Sequence, residues 1–262
     1  MLRPRIIPAL LLKNQGLVKT VKFKNPVYIG DPINTVKIFN EKCVDELAIL
    51  DINATLEGKS PQLDLIARIA SEAFMPIAYG GGIHNLTDIK DILSIGVEKI
   101  VINSHAVEKP EFVTAASDMV GSQSIVVSID VRKSIWGNYE VVTQGGKNKT
   151  GLDPVSFACR MEQAGAGELL VNAVDRDGTM DGYDIGLIQK VVQSVGIPVI
   201  ACGGAASAAD LGRAINEGGA SAAAAGSMFV FYGKHRAVLI TVPDERELIA
   251  AGVLANGEPS GL

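Results

Sequence analysis

Short, continuously apolar runs alternate with longer stretches of helical periodicity along almost the whole chain. The runs are Ile6–Leu12, Glu46–Ile52, Pro76–Tyr79, Lys99–Ile102, Ile125–Asp130, Glu168–Asn172, Pro198–Ala201 and Ala222–Ala225. Hydrophobicity without polar alternation is what a strand covered on both faces requires. Between the runs, Leu63–Ala73 carries Leu65, Ile66, Ile69, Ala70 and Ala73 at helical spacing, and Pro32–Cys43 sets Val36, Ile38, Phe39 and Cys43 towards one side. Leu86–Ile95, Pro110–Val120, Pro154–Ala164, Leu187–Val195 and Leu211–Glu217 continue the series. Strand–helix alternation implies a parallel sheet. Eight such strands predict closure into a single α/β domain, a (β/α)8 barrel over residues 1–251, with an open doubly wound sheet as the alternative. Residues 252–262 are rich in Gly, Pro and small side chains and are expected to form a loose tail.

Two stretches break the alternation. Asn14–Asp31 follows the first strand as a long polar loop, with a hairpin expected around Leu17–Phe23. Lys133–Gly151 follows the fifth and reads as a hairpin built on Trp136, Tyr139, Val141 and Val142. Both follow equivalent strands, because the second half of the chain echoes the first. Pro76–Gly82 resembles Pro198–Gly204, Glu46-Leu47 resembles Glu168-Leu169, and Ile7–Leu11 resembles Val126–Asp130, at offsets of 123, 122 and 119. A period near 120 is too long for a solenoid and suits four βα units repeated twice. The half-barrels would span about 1–122 and 123–251.

The net charge of −5 and the absence of any basic run give no bulk attraction to nucleic acid or acidic membranes. Cys43, Cys159 and Cys202 are scattered and odd in number, so neither a disulfide framework nor a CxxC metal pair is expected, and a reducing, cytoplasmic setting follows. The apolar stretch Ile6–Leu12 is too short to span a membrane. His84, His105 and His235 lack metal-ligand spacing, and neither a GxSxG nor a Walker motif is present, so no metal or cofactor is expected.

In a barrel, chemistry gathers at the C-terminal ends of the strands. Gly80-Gly81-Gly82, Asn103-Ser104, Asp177-Gly178-Thr179, Gly203-Gly204 and Gly226-Ser227 all fall there. Glycine lets a phosphate reach backbone amides. Two glycine sets, one per half, point to a ligand with a phosphate at each end. Asp130 ends the fifth strand as a candidate general acid or base. Its repeat partner is Leu11, which cannot carry a proton. Arg5, Glu46, Lys99 and Glu168 stand at strand starts, hence at the opposite, lower end, where ion pairing for stability is the ordinary role.

These motifs resemble the cyclase subunit of imidazole glycerol phosphate synthase over Met1 to about Tyr232. The stretches that carry the resemblance are Gly80-Gly81-Gly82-Ile83-His84, Val101-Ile102-Asn103, Asp175–Thr179 with Gly182-Tyr183-Asp184, and Cys202-Gly203-Gly204. The resemblance implies a two-fold barrel, a bisphosphorylated ligand, and a glutaminase partner at the barrel bottom whose ammonia passes through the barrel. It implies phosphate contacts at Gly82, Asn103 and Ser104 in one half and at Asp177, Gly178, Gly204 and Ser227 in the other. It further implies a ligand-contacting Lys19, a catalytic Asp130, and an ammonia gate of Arg5, Glu46, Lys99 and Glu168.

One position departs. The family's first strand ends in a catalytic aspartate, and here the text is Leu10-Leu11-Leu12-Lys13. Losing one member of an acid–base pair costs about 10²–10⁴-fold. A missing aspartate beside an intact gate, together with Ile29–Pro32 and Tyr232–Arg236, resembles a divergent branch associated with bacterial surface-polysaccharide synthesis. In that branch the barrel and its glutaminase are expected to feed ammonia to a third enzyme, an amidotransferase that forms an amidino sugar. A true cyclase-lyase of histidine biosynthesis is the alternative, with Asp51 or Asp177 replacing the lost carboxylate. A non-catalytic scaffold for a phosphorylated metabolite is the other.

Overall fold

The computed structural model describes residues 3–255. At its centre are eight parallel strands: β1 (Arg5–Lys13), β2 (Leu47–Asp51), β3 (Ile77–Gly80), β4 (Lys99–Ile102), β5 (Ile125–Lys133), β6 (Glu168–Ala173), β7 (Val199–Cys202) and β8 (Ala222–Ala225). Each pairs with the next in chain order, and β8 returns to β1 in the register Arg5↔Ala222 to Pro8↔Ala225. The sheet is therefore a closed (β/α)8 barrel without an open edge, and the doubly wound alternative is set aside.

The apolar runs conceal a period of two. Along β1, Ile6, Leu10 and Leu12 join the core shared with the helices, while Ile7 and Ala9 join a separate inner cluster. That inner wall mixes small residues, including Ala48, Ala78, Ala222 and Ala224, with the larger Ile7, Val101, Val126, Leu170 and Ile200. Strand side chains alternate between faces, and here both faces are covered.

The outer layer comprises α1 (Pro32–Glu41), α2 (Leu63–Ala70), α3 (Leu86–Ser94), α4 (Pro110–Val120), α5 (Pro154–Gln163), α6 (Ile185–Val192), α7 (Ala208–Asn216) and α8 (Glu245–Ala250). Their starts repeat across the halves. Asp31 caps α1 through the Asn34 N–H, as Asp153 caps α5 through that of Ser156, each ahead of a proline. Asn85 with Asp88, and Ser207 with Asp210, form capping boxes on α3 and α7. Each cap satisfies otherwise unpaired amides and contributes about 1 kcal/mol.

Several expectations need correction. The stretch 14–31 is a two-stranded excursion, Gly16–Val21 against β1 and Lys24–Gly30 beyond it, with Leu17, Val18, Lys19 and Thr20 buried. Cys43 and Ile38 are exposed, so α1 buries only Val36 and Phe39 of the expected apolar face, together with Pro32 and Thr35. The tail expected to be loose from 252 is packed at its start, where Val253 and Leu254 are buried, and 256–262 lie outside the described residues. The hairpin in 133–151 is present, with Tyr139–Thr143 antiparallel to the end of β5. No helix among the described residues is long and apolar enough to cross a membrane.

Candidate functional site

The C-terminal ends of the strands open into a cavity of about 340 Å³, with a second pocket of about 30 Å³ beside it. Of the residues predicted from sequence, Gly82, Asn103, Ser104 and Asp130 line the larger space. Lys19, Asp177, Gly178, Gly204 and Ser227 line the smaller. Leu11, Leu50 and Asn172 line both, so the two spaces meet across the barrel mouth.

Asp130 is a buried carboxylate on the larger space, and its neighbour Asn172 lines both. Asn172 donates from Nδ2 to its Oδ1 at 3.2 Å, and Asn103 donates to its Oδ2 at 3.2 Å. Burial pushes its pKa up to about 7, and the charge of Asp177 pushes the same way; the two amide donors oppose it. A carboxyl that titrates near neutrality can both give and take a proton. Asn103, expected at a phosphate, spends its amide on Asp130 and on the carbonyl of Ser128 at 2.9 Å, and its Oδ1 accepts from Ser104 Oγ.

The sequence reading missed Asn172. It sits in register with Asp130, as Leu50 does with Leu11. The signal was its polarity at the end of the apolar run Leu169-Leu170-Val171. Across the mouth the polar pair Asp130/Asn172 thus faces the apolar pair Leu11/Leu50. Neither carboxylate offered as a substitute for the missing one is free. Asp51 accepts the N–H groups of Asn53 and Ala54, each at 3.0 Å, and burial raises its pKa. Asp177 is held by Lys19 Nζ at 2.8 Å and by Thr20 Oγ1 at 3.2 Å, all three buried.

The two glycine turns are built alike. Gly82 and Gly204 have φ of +72° and +115°. A Cβ on Gly82 would stand 2.6 Å from the carbonyl oxygen of Lys59, and one on Gly204 would collide with that of Gly182. Both turns therefore need glycine for backbone packing, whatever they bind. Two features of the smaller pocket point further. Ser227 Oγ and Asn172 Oδ1 are buried without a hydrogen-bond partner among the described residues. An unpaired buried polar atom costs about 1–3 kcal/mol, and a ligand oxygen or N–H would satisfy these two.

At the other end of the barrel, Arg5, Glu46, Lys99 and Glu168 form a closed ring. Arg5 binds Glu46 at 2.6 Å and also Glu168, and Lys99 binds Glu46 at 2.9 Å and Glu168 at 2.8 Å. Burial alone would lower the pKa of Arg5, but Glu168 and then Glu46 raise it. The apolar inner cluster lies between this ring and the cavity.

A family model described as a histidine biosynthesis protein matches residues 5–236. A Pseudomonas aeruginosa protein named "Putative imidazole glycerol phosphate synthase subunit hisF2" is 51% identical over 248 residues, covering 95% of this chain and 99% of that protein. A Leptospira interrogans protein named "Putative imidazole glycerol phosphate synthase subunit HisF" is 48% identical, covering 94% and 98%. A Vibrio vulnificus protein named "Putative imidazole glycerol phosphate synthase subunit hisF3" is 45% identical, covering 94% and 95%.

Proposed function

We propose, because the chain belongs to the histidine biosynthesis protein family, that it is a cyclase-like barrel subunit of a glutamine-dependent amidotransferase complex. In this reading a cytoplasmic glutaminase docks at the barrel base, and its ammonia passes the four-charge ring and the lumen. A separate amidotransferase then consumes it to form an amidino group on a sugar destined for a bacterial surface polysaccharide. The observation that carries the reading is an intact ring of Arg5, Glu46, Lys99 and Glu168 in a chain whose catalytic pair has lost one carboxylate to Leu11.

The physical chemistry supports conduction. Neutral ammonia crosses an apolar passage at small cost, whereas ammonium must shed its hydration. An apolar lining of Ala9, Ala48, Ala78, Ala222 and Ala224 together with Ile7, Val101, Val126, Leu170 and Ile200 favours the neutral molecule. The ring holds its charges in mutual pairs, so the displacement of one side chain by a docked partner opens the base.

The alternative is a working cyclase. Asp130, with its pKa near 7, and the two pockets favour it. The two readings part in one assay: purified chain, the bisphosphorylated cyclase substrate and an ammonium salt, followed for imidazole glycerol phosphate. Absence of turnover, with stimulation of a glutaminase by the added barrel, is the expected result. Turnover at an enzyme-like rate would return the chain to histidine biosynthesis.

A further inference from the structure

We propose that the loop face of the barrel is a docking surface for a second protein, one whose own surface is acidic around an apolar centre. That the partner consumes ammonia rests on the function proposed above; the surface itself does not.

Three excursions on this face are basic, while Glu57, Glu108 and Asp181 are exposed on its other loops. The chain carries −5 in total, yet residues 16–30 and 231–239 contain no acidic residue, and residues 133–151 contain only Glu140. Glu140 accepts the N–H of Gly151 at 2.9 Å. Lys22, Lys24, Lys133, Lys147, Lys149 and Lys234 are exposed, and none reaches a carboxylate within ion-pair distance among the described residues. Lys133 lies over the Tyr139 ring at 5.1 Å. Lysines without an internal carboxylate gain from an external acidic surface, which steers association and selects the partner.

Large apolar side chains stand among them. Trp136, the chain's single tryptophan, is 83% exposed at the apex of its hairpin beside Ile135 at 94%, and Tyr28 and Tyr232 are 66% and 64% exposed. A tryptophan left in water forfeits a few kcal/mol of burial, and such aromatics anchor protein interfaces.

The hairpins form one rim. Arg132 donates to the carbonyl of Gly146 at 2.9 Å, and the Phe23 ring lies against Gly146. The Lys22 N–H donates to the Asp177 carbonyl at 2.8 Å, and Arg236 donates to the Gly178 carbonyl at 3.1 Å. Phe23, Pro26, Gly145 and Lys147 also line the large cavity, so its mouth opens inside the rim. A shaped protein surface covers the apex and the mouth together. Duplex nucleic acid would pair with the lysines but leave Ile135 and Trp136 in water. Single-stranded nucleic acid and lipid are outcomes of the test below.

Benzoylphenylalanine placed at position 136, and in a separate variant at position 74 on the barrel base, tests the proposal by light-induced cross-linking in cells that make the chain. The 136 adduct is expected to contain a protein absent from the 74 adduct. That protein, purified, is the probe. Its affinity for the full chain should fall as salt rises, and Ile135→Ser with Trp136→Ser should weaken it at least about tenfold. Lys133→Glu with Lys147→Glu should weaken it and flatten the salt dependence. Adducts at 136 that contain only the glutaminase, a second copy, nucleic acid or lipid overturn the proposal. So does a purified probe that binds the Ser variant as tightly as wild type. If the probe passes these tests but consumes no ammonia, the docking surface stands and the conduit reading fails.

Discussion

Asn172 donates a hydrogen bond to Asp130 across the β5–β6 register, and the corresponding register between β1 and β2 pairs Leu11 with Leu50. One half of the mouth holds a buried carboxyl with its donors, and the other presents two leucines. The pseudo-symmetry of backbone and caps is kept, but Leu11 stands where the second half has Asp130, and Asp51 at the end of β2 spends its carboxylate on the N–H groups of Asn53 and Ala54. A catalyst that needs two opposed carboxylates is incomplete here, whereas a conduit loses nothing when an exit wall becomes apolar.

The raised pKa of Asp130 makes its charge a cost to folding. In the unfolded chain the carboxyl ionises near pH 4, and in the folded barrel near 7. Over that window the native state binds the extra proton, so stability falls with rising pH and levels off above 7, by on the order of 4 kcal/mol. Asp130→Asn removes the penalty. Its Tm advantage over wild type should be near zero at pH 4 and grow to several degrees at pH 8. An advantage that stays flat or shrinks with pH would show that burial does not hold the carboxyl protonated.

Leu11→Asp restores the second carboxylate of the mouth. Leu11 is largely buried against Leu50, so the substitution should lower stability by about 1–3 kcal/mol. If the missing carboxylate is what silences cyclase chemistry, the variant should turn over the cyclase substrate with ammonium at least about 10²-fold above wild type. Product formation measured for both proteins under single-turnover conditions decides it. A folded Leu11→Asp protein as inactive as wild type places the loss elsewhere in the site.

The barrel was legible because eight doubly covered strands must be apolar throughout, and few architectures place that many in one chain. The ring and the glycine turns were legible because charges stand at strand starts and glycines at strand ends, and because Glu46 recurs as Glu168 and Gly82 as Gly204 at an offset of 122; Arg5 and Lys99 have no charged counterpart in the repeat. Asn172 was not, since a lone amide at a strand end resembles any loop donor until its register with Asp130 is known. Lys19, expected at a ligand, is found on Asp177, a contact between residues 158 apart that no local pattern encodes. The burial of Leu17, Val18 and Thr20 escaped because glycine and lysine around them read as loop. Tertiary pairing with β1 decides their state.

The two glycine turns should be intolerant of any side chain. Gly204 sits at positive φ, and its backbone accepts the Gly182 N–H at 2.9 Å. Gly204→Ala adds both strain and a backbone collision, at a cost of about 2–4 kcal/mol. Gly186 lies within α6, where an added Cβ meets only ordinary contacts. Gly186→Ala should therefore be neutral or stabilising by up to about 1 kcal/mol. Urea denaturation of both variants checks the contrast, and equal losses would contradict the assigned backbone constraint.

The ring at the base should separate stability from conduction. Glu46 is buried and holds both Arg5 and Lys99, so Glu46→Gln leaves each cation with only Glu168 and weakens the fold by about 2–3 kcal/mol. Lys99→Ala removes a side chain only 17% exposed and leaves Glu46 and Glu168 sharing Arg5, so it should cost a similar amount, about 2–3 kcal/mol. Under the proposed function the two nitrogen sources distinguish this loss from a loss of conduction. Lys99→Ala opens the ring without disturbing the loop face, so it should change product formation driven by glutamine and leave that driven by ammonium salt unchanged. Parallel assays with the two nitrogen sources, run on the assembled complex, read this directly. If both rates change in proportion, the ring serves the fold alone, and Arg5, Glu46, Lys99 and Glu168 return to the ordinary role of charges at the foot of a barrel.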